Sequence, residues 1–182
     1  MITRPGTSVL VAGIGNVFLG DDGFGVEVAR RLSARPLPPG IEVTDYGIRG
    51  LHLAYELLGG RFDTLVMVDA IPLDDPPGTI AVLEVDPDAP EIAGRGVDAH
   101  GMDPVAVLGL LRTLGGRVSR VRVVGCVPAV LAEGMGLSDV VFAAVPEAER
   151  VVLKLVADLA GYGPAYEIEP EKVSAVGRRN PK

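Results

Sequence analysis

The stretch "VAGIGNVFLGDDGFGVEVARRL" (Val11–Leu32) decides how this chain is read. Its opening residues continue an apolar run, "SVLVAG", without polar alternation, the pattern of a strand buried on both faces. Its closing residues place Phe24, Val28 and Leu32 four apart, the spacing of one apolar helix face. Between them lie Gly13, Gly15, Gly20 and Gly23, with Asn16 and the adjacent pair Asp21 and Asp22. A glycine-rich strand–turn–helix joint commonly offers its N–H groups to a phosphate. Here two carboxylates stand where such an anion would sit. The order G-I-G-N-V-F-L-G-D-D-G is not G-x-G-x-x-G, because Phe18 takes the third-glycine position. The Lys-Ser/Thr ending of a P-loop is absent as well. The joint therefore predicts an α/β fold without a dinucleotide site.

The same alternation continues outward. "GIEVTDYG" (Gly40–Gly47) reads as a second strand, and "GLHLAYELLGG" (Gly50–Gly60) as a helix closed by glycines. "FDTLVMVDA" (Phe62–Ala70) reads as a third strand and "TIAVLEVD" (Thr79–Asp86) as a fourth. Residues Pro87–Ala99 are rich in Pro, Gly and Asp and read as a long loop, a feature often tied to function. A helix over Asp103–Gly116 places Pro104 in its first turn. "RVRVVGCV" (Arg120–Val127) is a fifth strand, and Leu137–Gly161 is helical, with Ser138 as N-cap and a break near Pro146. These elements predict a three-layer α/β/α sandwich around a mostly parallel, twisted five-stranded sheet. The fourth strand follows a turn rather than a helix, so it is the antiparallel candidate. One domain is expected over residues 1–163, with a polar tail over 164–182.

Composition narrows the function classes. The 182 residues are 48% hydrophobic but only 4% aromatic, so the core is built from Val, Leu, Ile and Ala. The net charge of -7 argues against nonspecific nucleic-acid binding. No apolar run reaches the roughly 18 residues of a membrane span, and the N-terminus lacks the pattern of a signal peptide. A single cysteine, Cys126, rules out a disulfide framework and fits a reducing, cytoplasmic location. Cys126 lies among valines and reads as a small buried hydrophobe.

In open parallel sheets, sites lie beyond the carboxyl ends of the strands. Asn16, Asp21 and Asp22 follow the first strand, Asp45 ends the second, and Asp69 ends the third. His100 stands in the loop after the fourth strand. Two carboxylates and an imidazole make a plausible shell for zinc or nickel with positions left open. Each residue also has a plainer reading. Asp22 could cap a helix, Asp69 could shape a turn, and His100 could be a structural hydrogen bonder. His52 lies within an apolar helical pattern and reads as structural. No G-x-S-x-G elbow is present, and Cys126 has no evident catalytic partner.

Several blocks together resemble one family. "GIGNVFLGDDGFG", "DYGIRGLHL", "LVMVDAI", "DAHGMDPVAVLGLL", "VGCVPA" and "GLSDVVFAAVPEAERVV" occur in the order seen in the hydrogenase maturation proteases. The resemblance runs from about Val9 to Leu159. It implies an endopeptidase that removes a short C-terminal peptide from the precursor of a nickel–iron hydrogenase large subunit after nickel insertion. The family's three metal ligands fall here on Asp22, Asp69 and His100, the first being Asp where Glu is frequent. They would be both the metal set and the catalytic set. Asp45 matches a family Asp near the cleft, and Asn16 with Asp45 are candidates for substrate contact. Asp63 begins the third strand and is excluded. The resemblance implies nickel carried in by the substrate, with zinc or cadmium able to take its place in crystals. The partner is the large-subunit precursor, with no nucleic acid and no membrane, and the protease is expected to be a monomer. Two other readings remain: a noncatalytic assembly chaperone that senses the nickel-loaded subunit, and a generic zinc hydrolase on the same scaffold.

Overall fold

The computed structural model describes residues 7–88 and 104–162. In chain order the elements are β1 (Val9–Ile14), a short 3-10 turn (Gly20–Gly23), α1 (Phe24–Ser33), β2 (Ile41–Gly47) and α2 (Gly50–Leu58). They continue through β3 (Thr64–Ala70), β4 (Ile80–Val85), α3 (Pro104–Thr113), β5 (Arg120–Cys126) and α4 (Asp139–Ala160). One sheet runs in the order β2-β1-β3-β5-β4. Its first four strands are parallel neighbours, and β4 pairs antiparallel to β5. The expected sandwich, the strand count and the antiparallel fourth strand are all present. The expected boundary near Gly163 and the tail lie outside the described residues, as does most of the loop after Pro87.

The uninterrupted apolar run of β1 feeds both faces at once. Val9 and Val11 join Phe24, Val28 and Leu32 of α1 and Val141, Val145 and Val152 of α4 in one core. Leu10, Ala12 and Ile14 point the other way, into a second core with Leu53 and Leu57 of α2 and Val107 and Leu111 of α3. Period-two alternation in a strand covered on both sides requires this apolar continuity. Each large side chain fully buried in this way contributes roughly 1.5–3 kcal/mol.

Helix α4 departs from expectation at two points. It runs unbroken from Asp139 to Ala160 through Pro146. Pro146 is exposed, so its ring faces solvent while Val145 and Ala148 keep the helix seated on the core. Packing on both sides of the proline overrides its tendency to break the helix. Ser138 does occupy the N-cap position, yet its side chain makes no capping bond. Its hydroxyl is used elsewhere, as described below.

Strand order positions the site. From β1 the chain passes to β2 on one side; from β2 it returns past β1 to β3 on the other. The direction of winding thus reverses between β1 and β3, and crevices open at the carboxyl ends of such strand pairs.

Candidate functional site

The loop leaving β1 and the last residues of β3 meet at this crevice. Gly13 pairs with Val68, so the next residues of each strand emerge side by side at the carboxyl edge. The 3-10 turn carrying Asp21 and Asp22 packs against β3. Glycine makes that approach possible. A Cβ on Gly25 would lie 1.9 Å from the Val68 carbonyl oxygen, and one on Gly13 would lie 2.4 Å from both Gly25 O and the Ala29 Cβ. Gly15 has φ +128°, and a Cβ there would meet the Asp22 carbonyl oxygen at 1.7 Å. The start of α1 therefore rests directly on the strand ends, as it does in phosphate-binding folds.

Asp22 is half-buried, and its Oδ2 accepts the Asn16 N–H at 2.6 Å. Asp22 is thus tied to the loop rather than capping α1, whose N-cap position is Gly23. Asn16 closes a small turn of its own: its Oδ1 accepts the Phe18 N–H at 3.0 Å. Asp69 ends β3 beside Gly125 of β5 and is half-buried. Its Oδ1 accepts the Ala70 N–H at 2.8 Å. Asp45 lies near the carboxyl end of β2, opposite Gly13, and is exposed. Asp22, Asp69, Asp45 and Asn16 thus share one edge. Asp63 immediately precedes β3 at the opposite edge, where its carboxylate accepts the Ser8 N–H and hydroxyl. His100 lies outside the described residues, and among the described residues no three His, Cys, Asp or Glu side chains gather as a metal site. The two carboxylates are hard donors that suit a divalent cation, and a nitrogen donor would complete a set acceptable to nickel or zinc.

The residue that sequence reasoning undervalued is Asp21. It is fully buried. Its Oδ2 accepts the N–H groups of Ala129 and Val130, each at 2.8 Å, and the Ser138 hydroxyl at 2.9 Å. Its Oδ1 accepts the Ser138 N–H at 2.6 Å. Burial by itself would raise this carboxyl, but the bonds from Ser138, Val130 and Ala129 outweigh it and hold the group below the usual carboxylate range. The backbone joins in, with Asp21 N–H donating to Val130 O and Gly20 N–H to Gly134 O, both at 2.9 Å. The segment after β5 is therefore fastened alongside the loop after β1. These two loops carry exposed apolar side chains, Phe18 and Met135 foremost. His52 stands exposed on α2, lining an open pocket with Tyr46, Tyr55, Glu56 and Arg61.

The comparisons with known proteins agree on one family. The model described as hydrogenase maturation protease, HycI, matches residues 26–155. The hydrogenase 2 maturation protease of Escherichia coli is 31% identical over 150 residues, covering 81% of this chain and 90% of that protein. The structure of the hydrogenase maturating endopeptidase HybD from E. coli superposes with a TM-score of 0.71 at 30% identity, covering 84% of this chain and 93% of that one. A nickel–iron hydrogenase maturation protease, HycI, from Thermococcus kodakarensis gives a TM-score of 0.64 at 27% identity over 85% of this chain and 93% of that one. With this sheet, this crevice and these matches, the chain belongs to the hydrogenase maturation protease family, whose members are hydrolases of peptide bonds.

Proposed function

We propose that this protease removes a short C-terminal peptide from a nickel–iron hydrogenase large-subunit precursor after nickel insertion, and that Asp22, Asp69 and His100 carry the reaction. The observation behind the reading is the meeting of the turn that carries Asp22 with the end of β3 that carries Asp69 at the β1/β3 crevice, where a nucleotide fold would present an anion site. Carboxylates gathered at one edge offer hard oxygen donors to a divalent cation. The nickel arrives as part of the substrate, so cleavage is tied to completed assembly. Held by these side chains, such an ion supplies Lewis acidity to a scissile carbonyl or an attacking water. Asp22 is steadied for its part by the Asn16 N–H. Since Asn16 spends its N–H and its side-chain oxygen on the loop, its amide nitrogen is the atom proposed to reach substrate. Asp45 flanks the same edge and is proposed to contact the departing peptide. We further propose that the protease acts as a cytoplasmic monomer; among the described residues no helix is long and apolar enough to cross a membrane.

The test mixes the purified chain with nickel-loaded precursor and follows peptide release by mass spectrometry. The wild type releases the peptide; Asp22→Ala, Asp69→Ala and His100→Ala stay folded and do not. Normal cleavage by His100→Ala would remove the metal role. Stable complex formation without release would favour an assembly chaperone, and tight stoichiometric zinc with cleavage of unrelated substrates a zinc hydrolase.

A further inference from the structure

Asp21 and Asp22 are neighbours in a 3-10 turn, where successive side chains diverge by about a third of a revolution. One points into the protein and is completely buried; the other is half-buried at the crevice. The inward carboxylate takes four bonds from Ala129, Val130 and Ser138, and the N–H of the same residue donates to Val130 O. A Cβ on Gly20 would come within 2.8 Å of that same carbonyl, so the turn lies flush against the 129–138 segment. By contrast the Asp22 carboxylate accepts one hydrogen bond among the described residues, from the Asn16 N–H. With one residue anchored from both backbone and side chain, its neighbour has little freedom in direction.

We propose that Asp21 is a positioning residue for peptide-bond cleavage: by locking the shared turn to the segment after β5, it sets where the Asp22 carboxylate stands. This rests on the reading of Asp22 as a site residue. An anchor for the 129–138 segment alone would make the same bonds, and the two roles differ in what they do to Asn16. Its N–H reports directly on the Asp22 carboxylate and has no bond to Asp21.

Asp21→Asn tests the difference, because an amide cannot accept from donors on both sides and sets an NH2 group against one of them. Amide NMR of the full chain is expected to show a displaced Asn16 resonance exchanging with solvent about tenfold faster or more. Peptide release from nickel-loaded precursor should fall roughly 10–100-fold in kcat with KM within about threefold, as expected of a small misplacement at a reacting centre. Ser138→Ala keeps all three backbone donors and should give a smaller change at Asn16 in the same direction, which keeps the test available if Asp21→Asn fails to fold. The proposal is overturned if the Ala129, Val130 and Ser138 amides shift while Asn16 does not, or if Asn16 shifts and kcat is unchanged. Failure of the underlying reading has a different signature: full peptide release by Asp22→Ala, with the Asn16 shift in Asp21→Asn still present.

Discussion

Gly25 in the first turn of α1 faces the carbonyl oxygen of Val68 so closely that a methyl group would stand 1.9 Å from it. The obstacle is backbone of a central strand and cannot swing aside. Gly25→Ala should therefore cost at least about 3 kcal/mol, at or beyond the upper end of ordinary overpacking, despite alanine's better helix propensity. Urea unfolding measures this directly; a loss below about 1 kcal/mol would mean that α1 does not sit on the strand ends as described.

The two ends of β3 should differ sharply in activity. Asp69 lies at the carboxyl edge and Asp63 at the other, although both are aspartates at the boundaries of the same strand. Asp69→Asn should lower peptide release by 100-fold or more, in the range of ~10²–10³ seen when one electrostatic group is removed from a reacting centre. Asp63→Asn should leave kcat unchanged. Equal effects would break the assignment of the site to one edge.

Glu149 on α4 is buried and meets Arg35 at 2.7 Å and Arg31 at 3.5 Å, linking α4 to the end of α1. Removing a partner leaves a buried charge undercompensated, which costs more than the pair itself stabilises. Arg35→Ala should cost about 2 kcal/mol, less than a full break because Arg31 remains. Arg150→Ala loses only an exposed contact to Glu147 and should cost under about 0.5 kcal/mol. Thermal unfolding of the two variants side by side decides the matter; similar losses would contradict it.

Pro146 interrupts the backbone bonding of a continuous helix from an exposed position. Proline is about 3 kcal/mol worse than alanine inside a helix, offset by about 1 kcal/mol through the stiffer unfolded chain. Pro146→Ala should accordingly stabilise the protein by roughly 2 kcal/mol. A lowered melting temperature would show that the proline holds a bend the fold requires.

Burial pushes the Cys126 thiol up to about 11, with the Asp21 charge adding to the effect. The unfolded chain releases this proton near its ordinary value while the folded chain retains it, so stability falls as pH rises across that interval. The stability advantage of wild type over Cys126→Ala should shrink by roughly 2 kcal/mol between about pH 8.5 and 11. A constant gap would place the thiol in contact with water.

Much of this was legible in the sequence because it is local. The apolar run of β1, the four-residue spacing of Phe24, Val28 and Leu32, and the turn before β4 each specify their element within a few residues. The crevice carboxylates were legible too, since Asp22 and Asp69 both follow strand patterns. Pro146 misled because the packing of Val145 and Ala148 is tertiary. The role of Asp21 is not legible locally because its donors, Ala129, Val130 and Ser138, are 108 to 117 positions away. For the same reason the hydroxyl of Ser138 looked like a helix cap.

That separation gives the loop a different character from the phosphate loops it outwardly resembles. A nucleotide-binding strand–turn–helix is finished once its own few dozen residues have folded. Here the turn bearing Asp22 gains its deepest fastening from residues up to Ser138, which lie beyond β5 in the chain. A polypeptide that ends at residue 128 contains all five strands and α1, α2 and α3 in full, yet offers the Asp21 carboxylate none of its four donors. The fastening of the turn that bears Asp22 is thus completed late in the sequence, and a truncated chain is left without it.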